Sequence, residues 1–116
     1  MLNPSCIFCK IIQGSIKSTV IKENDFVMAI QDIAPKAPVH YLLLPKTHIE
    51  SVAHITNQDQ EFCWQLFQLA RDLGAQIPNK AFNLISNNGA AAGQSVFHLH
   101  WHFLAGKNLY EHGLKL

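Results

Sequence analysis

The sequence predicts an α+β fold, in which a mostly antiparallel five-stranded sheet is combined with one long helix and a short amino-terminal helix. Three observations support this class. Turn-forming residues separate neighbouring strand-like segments, one almost unbroken apolar run indicates a strand covered on both faces, and a single long amphipathic segment interrupts the strands. With 116 residues, 48% of them apolar, the chain can bury one core, so residues 1–116 are expected to form one domain.

The first elements are short and are separated by recognisable turn residues. Residues 7–13 can form one or two helical turns before Gly14 interrupts them. Residues 19–22 and 26–31 are strand-like, and the Glu-Asn-Asp sequence at 23–25 between them is typical of a turn. We therefore expect a β-hairpin here.

The centre of the chain contains the most apolar strand. Pro35 and Pro38 place residues 32–38 in a loop, since proline has no amide hydrogen and restricts the residue before it. Residues 39–44 are almost continuously apolar, which indicates a central strand, and Pro45 ends it.

A long helix is expected from about residue 58 to residue 77, with Thr56 or Asn57 as its cap and Pro78 beyond its end. Its apolar residues recur at helical spacing and predict a buried stripe. This stripe consists of Phe62, Leu66, Leu69 and Leu73. Residues 82–86 and 95–104 are expected to be the last two strands, with a loop at 87–93 between them.

Charge and hydropathy exclude several classes of partner. The formal net charge is +1, and no basic run is present that would follow a nucleic-acid backbone. No apolar run approaches the roughly 20 residues that span a bilayer, and the amino terminus does not resemble a secretion signal. We therefore expect a cytoplasmic protein that binds neither nucleic acid nor membrane.

The most informative stretch holds three alternating histidines, His98, His100 and His102. If residues 95–104 form a strand, these imidazoles share one face. The residues between them would then face the core beneath the helix; they are Phe97, Leu99, Trp101 and Phe103. Alternation alone leaves open a metal-binding face or a merely polar face.

Three segments together resemble the histidine-triad (HIT) family. Residues 93–104, GQSVFHLHWHFL, resemble its signature of H-x-H-x-H followed by two apolar residues, and residues 31–46 resemble its first strand-loop-strand block. Residues 6–12, CIFCKII, are similar to the amino terminus of many bacterial members. The resemblance covers nearly the whole chain, and it implies the HIT-like fold.

The resemblance also implies a reaction at the α-phosphate of a nucleotide. Family members are nucleotide hydrolases and transferases, and the position of His100 matches that of their nucleophile, which forms a nucleotidyl-histidine intermediate. A neutral imidazole is a suitable nucleophile near neutral pH. One ring nitrogen would face phosphorus while the other donates a hydrogen bond, with a backbone carbonyl as the expected acceptor.

Further family positions surround the phosphate. His102 matches a residue that contacts the phosphate oxygens, where a donor stabilises developing charge. Gln94 and Ser95 match positions that contact the phosphate and the leaving group. Asn87 and Gly93 match further positions on the phosphate side.

The resemblance implies a nucleoside site on the other side of the triad. Asp32 matches a residue that accepts hydrogen bonds from the ribose hydroxyls. His40 matches a histidine that supports the triad, although a satisfied core histidine is the alternative. An apolar slot for a purine base would be lined by Ile33, Phe8, Ile12 and Ile30, each of which could instead be ordinary core.

Cys6-x-x-Cys9 can chelate a metal from one turn, and Zn²⁺ with two thiolates takes two further ligands. In related galactose-phosphate uridylyltransferases and many bacterial members these are histidines, which here match His48 and His98. Four protein ligands leave no open position, so the zinc would be structural. The alternative is a reduced, metal-free cysteine pair.

Ser95 and residues 104–107 resemble the Hint branch, which implies a purine nucleoside phosphoramidase. A dinucleoside polyphosphate hydrolase, or a zinc-stabilised nucleotide-binding or interaction module with incidental hydrolysis, are the alternatives. The alanines at 90–92 and the tail at 108–116 depart from that branch, which leaves the leaving group open. The family commonly forms two-fold dimers, so a homodimer is expected.

Overall fold

The fold is built on one five-stranded sheet whose neighbouring strands all run antiparallel. The structure, a computed structural model, describes residues 2–115. The helices and strands are α1 (Ile7–Gln13), β1 (Val20–Glu23), β2 (Val27–Gln31), β3 (Val39–Pro45), α2 (Gln60–Ala75), β4 (Phe82–Ile85) and β5 (Trp101–Ala105). The strands lie in the order β1-β2-β3-β5-β4, and this architecture confirms the predicted α+β class.

Strand β3 lies at the centre of the sheet and is covered on both faces, as its apolar run predicts. Leu43 packs into the cluster beneath α2, whereas Leu42 and Leu44 pack into a second cluster with Phe8 of α1. Because side chains of a strand alternate between its faces, these two clusters lie on opposite sides of the sheet. The short helix α1 thus covers the face opposite to α2.

Helix α2 is anchored at both ends by specific contacts. Thr56 and Asp59 form a capping box, and the intervening residues make a single 3-10 turn, so the α-helix begins at Gln60 rather than at residue 58. Near its other end Gly74 lies against the ring of Phe82, where a Cβ atom would have no room. The predicted stripe of α2 is buried in the core: Phe62, Leu66, Leu69 and Leu73.

The prediction of a continuous strand over residues 95–104 was wrong. β5 contains only Trp101–Ala105, and residues 95–100 lie outside the sheet. Trp101 pairs with Leu43 of β3. Pro45 lies two positions further along β3, and it has no amide hydrogen with which to continue the hydrogen bonds to β5. The side chain of Phe97 is 46% exposed, so its predicted place in the core was also wrong.

Among the described residues, 2–115, no helix is both long enough and apolar enough to cross a membrane.

Candidate functional site

The three histidines lie close together although only one of them is on a strand. His98 and His100 precede β5 and are almost fully buried, and His102 lies on β5. The rings of His100 and His102 have their centroids 5.3 Å apart. The segment before β5 therefore brings the imidazoles together by an irregular path, not by strand alternation.

His100 has a defined tautomer. Its Nδ1 atom lies 2.8 Å from the backbone carbonyl oxygen of His98. A carbonyl oxygen only accepts hydrogen bonds, so Nδ1 carries the proton. In the neutral ring Nε2 then keeps its lone pair, which is the arrangement that a nucleophilic imidazole needs. The acceptor is a backbone carbonyl, as the sequence predicts.

Phe8 of α1 fixes the planes of two histidine rings. Its ring meets that of His100 edge-on at 5.2 Å and that of His98 at 5.7 Å, with interplanar angles of 82° and 83°. Phe8 is itself buried. Its side chain therefore packs directly against both histidine rings.

A second group of side chains surrounds His102. The Nε2 atom of His40 lies 2.9 Å from Nδ1 of His102 and 3.3 Å from a carboxylate oxygen of Asp32. The backbone amide of Lys36 donates to Nδ1 of His40 at 2.9 Å. Burial lowers the pKa of His40, against the attraction of Asp32, and burial also lowers the pKa of His102.

Asp32, His40 and His102 are close enough together to suggest a metal site. The amide of Lys36 argues against one. Since Nδ1 of His40 accepts a hydrogen bond, the single proton of the neutral ring is on Nε2, the atom that would have to bind the ion. These three side chains therefore form a hydrogen-bonded group.

Cys6, Cys9, His48 and His98 form a separate cluster whose ligand atoms all lie within 4.8 Å of one another. The Nδ1 atom of His98 lies 3.3 Å from Sγ of Cys6 and 3.5 Å from Sγ of Cys9. In a tetrahedral zinc site, with Zn–S near 2.3 Å and Zn–N near 2.0–2.1 Å, such sulfur–nitrogen edges are about 3.5 Å long. The four residues therefore fit a metal ion.

Local structure explains why the cysteine spacing works. Cys6 caps the amino terminus of α1, and its sulfur accepts a hydrogen bond from the amide of Cys9. The cap holds the sulfur of Cys6 against the amide of Cys9, and both sulfurs lie near Nδ1 of His98. Burial raises the pKa of the Cys9 thiol. A nearby cation would offset that cost and hold the thiolate form.

The outer contacts of the cluster also suit a metal. Nε2 of His98 lies 3.0 Å from the carbonyl oxygen of Pro45, so the proton is on Nε2 and Nδ1 faces the two sulfurs with its lone pair. Burial lowers the pKa of His98 to about 4, which keeps this ring neutral as a ligand must be. The backbone amide of Asn3 points at the sulfur of Cys9 at 3.3 Å.

The residues expected around the phosphate differ from one another in burial and in hydrogen bonding. Gln94 is buried, and its amide group is bonded to the backbone of Gly89, Glu50 and Val96, so it braces the loop before β5. Gly93 has φ +94°, which explains the need for glycine, and the side chain of Asn87 lies beside it. Ser95 is exposed and makes no side-chain hydrogen bond among those described for residues 2–115.

The residues expected at the nucleoside are only partly brought together. One carboxylate oxygen of Asp32 accepts the amide hydrogen of Ala34 at 2.7 Å, which orients the group. Ile33 is 98% exposed, beside a shallow cleft that Gln31 also lines. The other three apolar residues belong to the cluster beneath the sheet, with Phe8 and Ile30 buried and Ile12 partly buried.

The sequence did not reveal three groups that form hydrogen bonds to the side chains of the site, because each of them is a backbone group. They are the amides of Asn3 and Lys36 and the carbonyl of Pro45. Backbone groups are present at every position, so residue identity gives no signal for them. The prolines around Lys36 and the proline at 45 were the only indications that these segments have fixed shapes.

Comparison with known proteins gives the family. The HIT domain family model matches residues 13–109. An uncharacterized HIT-like protein of Synechocystis is 39% identical over 102 residues, which cover 87% of this chain and 90% of that protein. A HIT family hydrolase from Clostridium thermocellum superposes with a TM-score of 0.89 at 40% identity over 98% of both chains. A histidine triad protein from Clostridium difficile superposes with a TM-score of 0.87 at 37% identity, over 93% of this chain and 96% of that one. The chain therefore belongs to the HIT family.

Proposed function

We propose that this protein is a purine nucleoside phosphoramidase in which His100 attacks the α-phosphate. The observation that carries the proposal is the bond from Nδ1 of His100 to the carbonyl of His98, which leaves a lone pair on Nε2. Membership of the family and the relative named as a hydrolase support a hydrolytic reaction. The phosphoramidase assignment rests on the resemblance of Ser95 and residues 104–107 to the Hint branch.

The reaction proceeds in two displacements. The lone pair of His100 Nε2 forms a bond to phosphorus while the phosphorus–nitrogen bond of the substrate breaks, and the departing amine takes a proton from the Ser95 hydroxyl, which solvent restores. Water then attacks the nucleotidyl-histidine, which releases the nucleoside monophosphate and the free imidazole. Covalent catalysis of this kind divides one difficult step into two easier ones.

The surrounding residues bind and orient the substrate. His102 donates a hydrogen bond to a phosphate oxygen, where it stabilises the charge that develops in the transition state. Asp32 accepts hydrogen bonds from the ribose hydroxyls, and its orientation by the amide of Ala34 favours this role. Ile33 contacts the base from the exposed loop, while Phe8, Ile12 and Ile30 form the floor beneath the site.

The decisive experiment uses adenosine 5′-phosphoramidate as substrate and measures release of AMP. Wild type should release AMP, and a rapid acid quench should trap one adenylyl group on the protein. His100→Ala should do neither. His112→Ala, which changes an exposed histidine of the carboxy-terminal tail, is the matched control and should behave like wild type.

Two outcomes would point to other functions. Faster release of AMP from a dinucleoside polyphosphate than from the phosphoramidate would favour a dinucleoside polyphosphate hydrolase. Nucleotide binding with no turnover in either wild type or His100→Ala would favour a zinc-stabilised binding module and would overturn the enzymatic proposal.

We further propose that Zn²⁺ occupies the cluster of Cys6, Cys9, His48 and His98. Two thiolates and two imidazoles are a donor set that zinc prefers. Four protein ligands would leave no coordination position for water, so the metal would be structural and would tie α1 to the segment before β5. Thiolate ligands persist in a reducing compartment, which agrees with a cytoplasmic location.

We propose, finally, that two copies form a homodimer through α2 and β4. Trp64 and Phe67 are 56% and 54% exposed and stand three positions apart on α2, so they share a face of the helix. Within the part of the chain that the structure describes, residues 2–115, β4 pairs with one strand only, β5. A second copy that pairs with β4 would continue the sheet and cover both aromatic rings.

A further inference from the structure

One backbone amide of the loop between β2 and β3 donates a hydrogen bond to the buried side chain of His40. The amide nitrogen of Lys36 lies 2.9 Å from Nδ1 of His40, with its hydrogen directed at that atom. An amide can only donate. Nδ1 of His40 must therefore be an acceptor, and the proton of the ring is on Nε2.

This assignment determines the next ring. Nε2 of His40 lies 2.9 Å from Nδ1 of His102. Because Nε2 of His40 carries the proton, Nδ1 of His102 accepts a hydrogen bond from it, and the single proton of neutral His102 is on its own Nε2. The competing acceptor is the carboxylate of Asp32, which is more distant at 3.3 Å and whose other oxygen is already bonded to Ala34.

Without the amide, a second arrangement of the two rings becomes possible, opposed only by the more distant carboxylate of Asp32. His102 could donate from Nδ1 to Nε2 of His40, and its own Nε2 would then present a lone pair. A lone pair that faces a phosphate oxygen is repulsive, whereas an N–H group stabilises it. The backbone hydrogen bond from Lys36 therefore favours the tautomer of His102 that stabilises a phosphate oxygen over the tautomer that repels it.

We propose that the backbone amide of Lys36 is a positioning group, which fixes the tautomer of His40 and through it that of His102, so that His102 presents an N–H donor to the substrate. The catalytic meaning of this donor rests on the proposed function. The tautomers themselves do not, and they can be measured in the absence of any substrate.

The loop is built to hold this amide in place. Pro35 precedes Lys36 and restricts the backbone there. The carbonyl oxygen of Lys36 accepts a hydrogen bond from the ammonium group of Lys107 at 3.1 Å. The acceptor ring of His40 is 3% exposed, so water does not compete for the bond.

The primary measurement is nitrogen-15 NMR of the histidine rings in the intact wild-type protein near neutral pH. Both His40 and His102 should have the proton on Nε2, and a coupling across the hydrogen bond should join the amide nitrogen of Lys36 to Nδ1 of His40. A proton on Nδ1 of either ring would overturn the proposal, and this result does not depend on any variant folding.

A pair of substitutions at one position then tests causation. Lys36→Pro removes the amide hydrogen, whereas Lys36→Ala keeps it and removes the side chain. Lys36→Ala should keep the wild-type tautomers. Lys36→Pro should show both tautomers of His102, and its kcat relative to Lys36→Ala should fall in proportion to the population that has lost the proton from Nε2.

The outcomes separate this inference from the proposed function. Fixed tautomers in wild type together with mixed tautomers in Lys36→Pro support the inference even if no phosphoramidate is hydrolysed. Unchanged tautomers in a folded Lys36→Pro protein would overturn it even if wild type is an active phosphoramidase.

Discussion

The Nδ1 atom of His100 bonds to the carbonyl oxygen of His98, while the imidazole of His98 belongs to the cysteine–histidine cluster. One residue therefore serves two sites, with its side chain in the cluster and its backbone beneath the proposed nucleophile. The cluster holds His98 in place, and His98 sets the direction of His100. Loss of the cluster should thus disturb the nucleophile, although no ligand of the cluster contacts the substrate in the proposed reaction.

Cys9→Ser should abolish zinc binding at the proposed metal site and weaken both stability and activity. Serine is a poor zinc ligand, and a structural zinc contributes free energy of folding directly. We expect zinc in purified wild type and none in the variant, together with a lower melting temperature and a lower kcat. Metal analysis, thermal unfolding and the AMP-release assay measure these three effects.

Cys63→Ser is the matched control for the cysteine variant. Cys63 is partly buried on α2 and is not a member of the cluster. The Cys63→Ser protein should bind zinc and release AMP as wild type does. Purified wild type without zinc, or Cys9→Ser with a full complement of it, would contradict the metal assignment.

The free energy of unfolding should decrease at low pH, because the fold holds His40 and His102 in their neutral forms. Burial lowers the pKa of His40 and of His102 below the ordinary value of 6.5. The groups that face His102 are His40, His100, Asp32 and Lys36. Because the folded state resists protonation that the unfolded chain accepts, their contribution to stability is complete above pH 6.5 and is lost as the pH falls below it.

The measurement compares urea unfolding at several pH values between 7.5 and 5 for wild type and His40→Gln. Both proteins share the cysteine–histidine cluster, so its own pH dependence cancels in the difference. The free energy of unfolding of wild type should fall more steeply with decreasing pH than that of His40→Gln. Equal slopes would show that His40 is not held neutral by the fold.

The sequence predicted the elements whose signals are local. The bounds of α1 were predicted at residues 7–13, because Gly14 can adopt the left-handed conformation that ends a helix. The cap was predicted at Thr56 or Asn57 from residue type, and Thr56 forms the capping box of the 3-10 turn that leads into α2. The family was confirmed because its motifs extend over most of the chain.

The sequence was a poor guide where distant backbone groups decide the structure. Alternation predicted a strand through His98 and His100, but the strand stops because Pro45 stands opposite in the register. Similarly, nothing in the sequence indicates that the backbone amide of Lys36 donates a hydrogen bond to His40. Residue type shows which chemistry is available, and tertiary structure decides which nitrogen carries the proton.

Trp64→Glu together with Phe67→Glu should convert the proposed dimer into a monomer. A charge on each exposed ring position would be buried without a partner in the interface, which is unfavourable. Light scattering after size-exclusion chromatography should give about twice the chain mass of 13.0 kDa for wild type and the single-chain mass for the variant. Val20→Glu is the control, since Val20 is 43% exposed on β1, at the opposite edge of the sheet.

A single-chain mass for wild type would contradict the dimer. Dissociation by Val20→Glu to the same extent would contradict the placement of the interface at α2 and β4. Retention of the dimer in the double variant would show that the two aromatic residues serve another purpose.

Gly74→Ala should destabilise the protein, although alanine is the better helix former. Alanine normally stabilises the interior of a helix by about 1 kcal/mol relative to glycine. Here the new Cβ would overlap with Cε1 of Phe82. That ring is stacked on Phe103 at 4.6 Å and cannot move away freely. Overpacking of this kind costs about 1–3 kcal/mol, so the net effect is a loss of stability.

The same substitution in a Phe82→Leu background provides the control, because leucine lacks the ring atoms that the Cβ would meet. The free energies of unfolding of wild type, both single variants and the double variant form a thermodynamic cycle. We expect Gly74→Ala to be markedly less harmful, or even stabilising, with leucine at position 82. An equal penalty in both backgrounds would mean that the glycine is required for another reason than its contact with Phe82.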